Sequence, residues 1–371
     1  MKITRIETIP VVVPIQPRLM IRAAHGDHAR SPFLLVKVHT NEGITGLGEV
    51  SCTPRWSGED HFTAAHFIQA FYAPLLEGED PTAIERLTAR IASAVARNPF
   101  TKAAIEMALW DILGKSVGKP VYQLLGGAVR EAVTIKWSVS GQEPAKAAEI
   151  AAWATSQGFK TIKVKVGLEP SADVARVRAV RNAVGPNVRI GVDANGGWSK
   201  ATAIATIPRF YDDNIFFVEQ PVPAGDVSWM ADVRRQIRLP LIADESVYTS
   251  QDAMALIRAD AADVFSVYVG KAGGIGPARK IVAVAEAAGI ACTVGSNLEM
   301  GIGSAAMIHL AASTSGIKAE DFPCDIIGPL YYEDDLLTEP LSLAKGAAGI
   351  LQRPGLGVGL DEEKVKKYQV K

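Results

Sequence analysis

From about residue 130 onward the chain keeps a beat. Short apolar runs, "VTIKWSVS", "TIKVKVG", "VRIGVDAN", "IFFVEQP", "LIADES", "VFSVYVG" and "ACTVGS", alternate with alanine-rich stretches of helical spacing. The period is roughly 25 residues, about one strand–helix unit. Strands this apolar are buried on both faces, as in a parallel sheet flanked by helices. Seven such runs, with a short eighth near "DFPCDIIG", predict an α/β protein with a closed (β/α)7β TIM-like barrel. An open doubly wound sheet would want a GxGxxG turn after its first strand, and the first run here leads into "SVSGQEP".

The pattern before residue 125 differs. "MKITRIETIPVVVP" and "FLLVKVHTNEGITGLGEV" predict strands, the second a hairpin turning at Asn41-Glu42-Gly43. Helical spacing follows around residues 60–75, 81–96 and 100–116. The expected division is an N-terminal α+β capping domain (1–125), a barrel (126–330) and a C-terminal segment (331–371) that returns to the capping domain.

Charges interrupt the apolar runs in a regular way. In "TIKVKVG", Val164 and Val166 point to one face of the strand and Lys163 and Lys165 to the other. Buried lysines need partners, and in such barrels the chemistry collects at the C-terminal ends of the strands. Those ends carry Asp193 and Asn195 in "VDAN", Glu219 in "VEQP", and Asp244 and Glu245 in "ADES". Lys271 follows in "GKAGG", then Ser296, Asn297 and Glu299 in "GSNLEMGIG". Carboxylates at three successive strand ends, Asp193, Glu219 and Asp244, suit Mg²⁺ or Mn²⁺. Such an ion, holding a substrate carboxylate, would stabilise the enediolate left when an α-proton departs. Lys165, with Lys163 beside it, is the candidate acid–base on one face of the α-carbon. Lys271 would serve the opposite face, or act as a cation beside the enolate.

Taken together, "KVK", "DAN", "EQP", "ADES", "GKAGGIG" and "GSNLEMGIG", with "GLGEV" and "RPGLGVGLDEE", resemble the muconate-lactonizing-enzyme subgroup of the enolase superfamily. The resemblance implies a capping domain over the barrel and the same assignments of metal, base and opposite-face lysine. It sets Glu245 beside the lysine across the site, and Asn195 and Glu299 near the metal and the substrate carboxylate. The His–Asp pair of mandelate racemases proper is missing, since the seventh run reads "ACTVGSN". The DxD of dipeptide epimerases is broken, with Asp325 followed by Ile327 at the second place.

Substrate choice falls to two N-terminal loops, "PRLMIRAAHGDHARSP" and "SCTPRWSGEDH", where Arg22, His25, His28, Arg55 and Trp56 are candidates to meet the distal end of a substrate. An arginine there would suit a second carboxylate, as in a muconate. His25 and His28 form HxxH without a third ligand, so zinc is not expected.

Composition narrows the partners. A net charge of −1 over 371 residues gives no electrostatic draw to nucleic acid or to anionic membranes. No apolar run reaches spanning length, and three scattered cysteines (Cys52, Cys292, Cys324) set no disulfide framework. The expectation is a cytoplasmic enzyme, homo-oligomeric by resemblance, acting on a small-molecule carboxylate. Cycloisomerisation of the muconate type leads, with Lys165 protonating the enolate. An o-succinylbenzoate synthase-like dehydration, or racemisation of an N-acylamino acid or other carboxylate by Lys165 and Lys271, shares that intermediate. Outside this chemistry stand a phosphate-binding barrel that uses "GKAGGIGPARK" as an anion nest, and a non-catalytic metal-bound relative.

Overall fold

Three antiparallel strands, Ile3–Pro14, Arg30–Thr40 and Thr45–Ser51, form a sheet in chain order near the N-terminus. This is a computed structural model describing residues 1–370 apart from the side chain of His28. Residue 371 and that side chain, with the HxxH pairing, lie outside the described residues. The helix Pro99–Ser116 packs on the sheet and is apolar nearly all round, with Phe100, Ala104, Ile105, Ala108 and Ile112 buried. A helix without a polar face must be covered on more than one side. Here the sheet covers one flank and the barrel touches another. The alternation in "GLGEV" explains the close approach, since a Cβ on Gly48 would stand 1.8 Å from the carbonyl oxygen of Ala104.

The barrel strands are Trp137–Val139, Thr161–Lys165, Arg189–Asp193, Ile215–Glu219, Leu241–Ala243, Val264–Val267 and Ala291–Val294. They are parallel, and each is hydrogen-bonded to its neighbour in chain order. The eighth position is filled by one bridging stretch rather than a full strand. Lys136 N donates to the Cys324 carbonyl at 2.9 Å and Asp325 N to that of Val294 at 2.8 Å, which closes the ring. The run "VTIKWSVS" divides: Ala132–Thr134 pairs antiparallel with Ala347–Gly349 of the tail, and only Trp137–Val139 joins the barrel. The last helix, Glu362–Tyr368, meets the first sheet, where Val370 N donates to the Pro10 carbonyl at 3.0 Å.

Two buried carboxylates of the capping domain hold barrel helices by their N-termini. Glu49 accepts from Met300 N (2.7 Å) and Gly303 N (3.0 Å). Glu106 accepts from Ile275 N and Gly276 N, both at 2.8 Å. The glycine-rich turn expected as a phosphate nest is therefore already filled by the protein's own carboxylate. No helix is long and apolar enough to cross a membrane among the described residues.

Candidate active site

Register sets the site. Across the parallel ladder Lys165 pairs with Asp193, and Asp193 with Glu219, so the three lie level at the C-terminal rim. Lys163, two residues before Lys165 on the same face, reaches the same acids from below.

The lysines separate the carboxylates. Lys163 Nζ lies 3.1 Å from Asp193, 3.2 Å from Glu219 and 2.9 Å from Asp325. Lys165 Nζ donates to Asp193 Oδ2 at 2.7 Å and to Asn195 Oδ1 at 2.8 Å. Lys271 Nζ donates to Asp244 Oδ1 at 2.5 Å, to the Asp244 carbonyl at 2.6 Å and to the Ser266 carbonyl at 2.9 Å. Among the described residues no three Asp, Glu, His or Cys side chains are placed together as a ready metal-binding group. Asp193, Glu219 and Asp244 share the rim, each bound to an ammonium group.

Charge at the rim is unbalanced. Six carboxyls, those of Asp193, Glu219, Asp244, Glu245, Glu299 and Asp325, share the rim with four ammonium groups, those of Lys136, Lys163, Lys165 and Lys271, and Glu245 and Glu299 pair with none of the four. Burial pushes Glu219 up to about 8: Lys163 opposes this, and Asp193, Asp325 and Asp244 add to it. Burial also raises Asp244, against Lys271. For Asp193 burial works upward, but Lys165 and Lys163 outweigh it and hold the carboxyl low. Two buried carboxylate oxygens, Glu245 Oε2 and Asp325 Oδ1, have no hydrogen-bond partner.

A cavity of about 460 Å³ opens above the rim, lined by Lys163, Lys165, Asn195, Ser296, Asn297 and Asp325 from the barrel. His25, Arg30, Thr53, Arg55 and Trp56 line it from the N-terminal loops. Asn195 adopts φ +44°, a left-handed conformation that non-glycine residues seldom take. Its amide bridges the site, accepting from Lys165 and donating to Glu245 Oε1 at 3.0 Å. Glu299 accepts from Ser296 Oγ at 2.5 Å and Asn297 N at 3.1 Å, and so shapes the seventh loop from within. Asn297 Oδ1 accepts from Thr53 Oγ1 at 3.1 Å, joining that loop to the capping domain.

Several expectations need correction. Arg22 does not face the cavity. It is ion-paired with Asp27 at 3.0 Å, and its backbone carbonyl accepts from Gly141 N at 2.7 Å. Glu245 does not touch the lysine across the site: Asp244 holds Lys271, while Glu245 binds Asn195, Trp56 and His25. Lys271 lies in a short helix, Val269–Ala272, beneath the Tyr268 ring, whose centroid is 4.2 Å from its Nζ.

Other groups at the site were not anticipated. Lys136, fully buried, pairs with Asp325 at 3.0 Å. The "TIK" it shares with the Lys163 strand was the available signal. Tyr268 lines the cavity and donates to Asp244 Oδ2 at 2.6 Å. Arg30, like Arg55, lines the cavity. The three cysteines are buried and free.

Residues 5–126 match the family described as "Mandelate racemase / muconate lactonizing enzyme, N-terminal domain", and residues 145–364 match "Enolase C-terminal domain-like". Over 99% of its length the chain is 36% identical to muconate cycloisomerase 1 of Rhodococcus opacus, covering 98% of that protein. It is 34% identical to the N-succinyl-L-Arg/Lys racemase of Bacillus cereus, over 100% of the chain and 98% of the relative. The crystal structure of that racemase superposes with a TM-score of 0.95. A dipeptide epimerase from Enterococcus faecalis, solved with Mg and the dipeptide L-Leu-L-Tyr, superposes at 0.91 with 31% identity, covering 97% of this chain and 100% of that one.

Proposed function

This chain belongs to the mandelate racemase and muconate lactonizing enzyme family of the enolase superfamily, and from that membership we propose that it closes a lactone ring on a small unsaturated dicarboxylate, in the manner of muconate cycloisomerases. The observation that carries the reading is Lys165. Two of its three N–H donors go to Asp193 and Asn195, and the third is left for a molecule in the cavity.

Asp193, Glu219 and Asp244 would hold a divalent ion, Mg²⁺ or Mn²⁺. The fit rests on an all-oxygen donor set, on the excess of buried carboxyls over ammonium groups, and on the raised Glu219. When bound, the ion supplies positive charge to the substrate carboxylate and to the oxygens on which enolate charge develops. The chain does the rest. As one carboxylate oxygen of the substrate bonds to an alkene carbon, the π electrons move toward the other carboxylate, and Lys165 gives its proton to the α-carbon. Lys163, held among three acids, stays a fixed positive charge behind that carbon. Arg30 and Arg55 would orient the attacking carboxylate, since neither is ion-paired among the described residues.

Dipeptide epimerisation fits less well. Asp325 is already bound by Lys163 and Lys136, and Ile327 places an apolar side chain in the same wall, so a substrate ammonium would find no pair of acids. Family membership also supports a homo-oligomer in the cytoplasm, the first of which light scattering would read.

The test is direct. Mg²⁺-loaded protein mixed with cis,cis-muconate should form lactone, seen by NMR, with loss on chelation and recovery on Mg²⁺ addition. If muconate and its chloro derivatives stay unchanged at any metal loading, the lactonisation proposal fails.

A further inference from the structure

Alternate residues of one capping strand hold one barrel loop. Glu49 and Ser51 share a face of the strand Thr45–Ser51, and Thr53 continues the alternation just past its end. Each meets the loop after the seventh barrel strand. Glu49 accepts from Met300 N and Gly303 N. Ser51 Oγ donates to the Asn297 carbonyl at 3.1 Å, and Asn297 Nδ2 donates to the Ser51 carbonyl at 3.3 Å. Thr53 Oγ1 donates to Asn297 Oδ1 at 3.1 Å. Asn297 thus spends both ends of its amide on the capping domain, although it borders the cavity.

The loop held in this way is strained. Leu298 adopts φ +56°, a left-handed conformation that is costly for a bulky side chain. Such a residue persists where its surroundings over-determine it. Its N–H donates to Ser296 Oγ at 2.8 Å, and its carbonyl accepts from the Tyr332 hydroxyl at 2.7 Å. The residue before it is Asn297, fixed from the capping domain. In this backbone Leu298 and Ser296 both line the cavity.

From this we infer that Asn297 is a positioning residue: it fastens the seventh barrel loop to the capping domain and so sets where Leu298 and Ser296 stand against a bound substrate. Part of the barrel's rim is then placed by the capping domain and not by the barrel. A single hydroxyl of that domain, on Thr53, acts on the cavity wall through the Asn297 amide. Asn297 is suited to this because it accepts and donates at once, as a hydrocarbon side chain of its size could not. The mechanical tie stands by itself; its kinetic consequence rests on the lactonisation proposed above.

The first test needs no turnover. Amide hydrogen exchange of the full chain with Mg²⁺ added, read by peptide mass spectrometry, reports how readily the loop opens. Thr53→Val keeps the side chain's shape and removes its hydroxyl. Peptides covering residues 295–303 should then exchange about two- to tenfold faster, the loss of one neutral hydrogen bond. Peptides from the strand Thr161–Lys165 should keep the parent rate, and Thr53→Ser, which retains the hydroxyl, should restore the loop. An unchanged loop in Thr53→Val, or an equal rise across the whole barrel, overturns the inference. Because Thr53 lies outside the barrel, the test holds even if Asn297→Leu fails to fold.

The second test is kinetic, with cis,cis-muconate and Mg²⁺. Thr53→Val should raise KM about two- to tenfold and leave kcat nearly unchanged, since the loop places the substrate and transfers no proton. Adding Thr53→Val to Asn297→Leu should cost nothing further, because the two remove the same bond. Additive losses, or a fall in kcat alone, overturn the inference. If the exchange pattern holds while no acid reacts, the lactonisation proposal falls and the tie through Asn297 stands.

Discussion

Trp56 Nε1 donates to Glu245 Oε1 across 2.9 Å, so a loop of the capping domain is tied to the end of the fifth barrel strand. The same oxygen accepts from Asn195 Nδ2 at 3.0 Å and faces His25 Nε2 at 3.5 Å. Burial works to raise Glu245, but the bonds from His25, Asn195 and Trp56 hold it low. One ionised oxygen therefore gathers both capping loops and the amide that positions Lys165. Closure of the cavity and placement of the acid–base group are mechanically linked through it.

Removing the indole N–H while keeping an aromatic ring tests that link. Trp56→Phe should lower kcat/KM about tenfold or more, the value of one hydrogen bond to a charged group. Melting temperature should change little, since Trp56 is only partly buried. Steady-state kinetics beside a thermal scan would decide it. An unchanged kcat/KM would mean the loop closes by packing alone.

Lys165→Met should retain metal binding and the fold while kcat falls by about 10²–10⁴ or more, the range of a positioned general acid or base. Titration calorimetry with Mn²⁺ and turnover of the true substrate read the two effects separately. Turnover at the parent rate would remove Lys165 from the chemistry.

Arg55→Ala should raise KM for a dicarboxylate by about tenfold to a hundredfold, the loss of a charge-assisted contact. A monocarboxylate analogue should be nearly indifferent to the change. Equal losses with both would show that Arg55 shapes the loop without meeting the substrate.

His309 gives the stability a pH dependence. The ring is fully buried in the helix Gly301–Ser313, with Nδ1 accepting from Tyr122 N at 3.2 Å and Nε2 facing the Leu356 carbonyl at 3.1 Å. Burial pushes its pKa down from 6.5 to about 4, against the Leu356 bond. Between those values the unfolded chain binds more protons than the folded one. The contribution is complete above pH 6.5 and lost as pH falls toward 4, about 3 kcal/mol in all. Urea unfolding at pH 7.5 and 4.5 should show a smaller difference in His309→Gln than in the parent. An equal difference would place the acid sensitivity elsewhere.

The barrel and its rim were legible because both depend on short-range pattern. Alternation along "TIKVK" puts Lys163 and Lys165 on one face, and one strand per unit brings Asp193, Glu219 and Asp244 to the same end. Lys271 shows where this fails. Its place just past a strand suggested the cavity, but the chain turns at once into Val269–Ala272 and carries it under Tyr268. Arg22 was misplaced because its partner Asp27 stands opposite it in a two-stranded ribbon that no periodicity announces. Lys136 was overlooked, and Asp325 was read only as half of a broken DxD, because their pairing forms across the closure of the ring.

By itself, then, the sequence determined the strand–helix alternation, the closed barrel and the acids and lysines at its C-terminal rim, because side-chain direction along a strand is a local property with a period of two. Tertiary structure decided which of those groups face the cavity. Whether an ammonium meets a substrate or a neighbouring carbonyl depends on segments far apart in the chain, as with Trp56 against Tyr268 and Lys136 against Asp325. Burial then enforces the choice, since a charge removed from water must keep whatever partners the fold brings within reach.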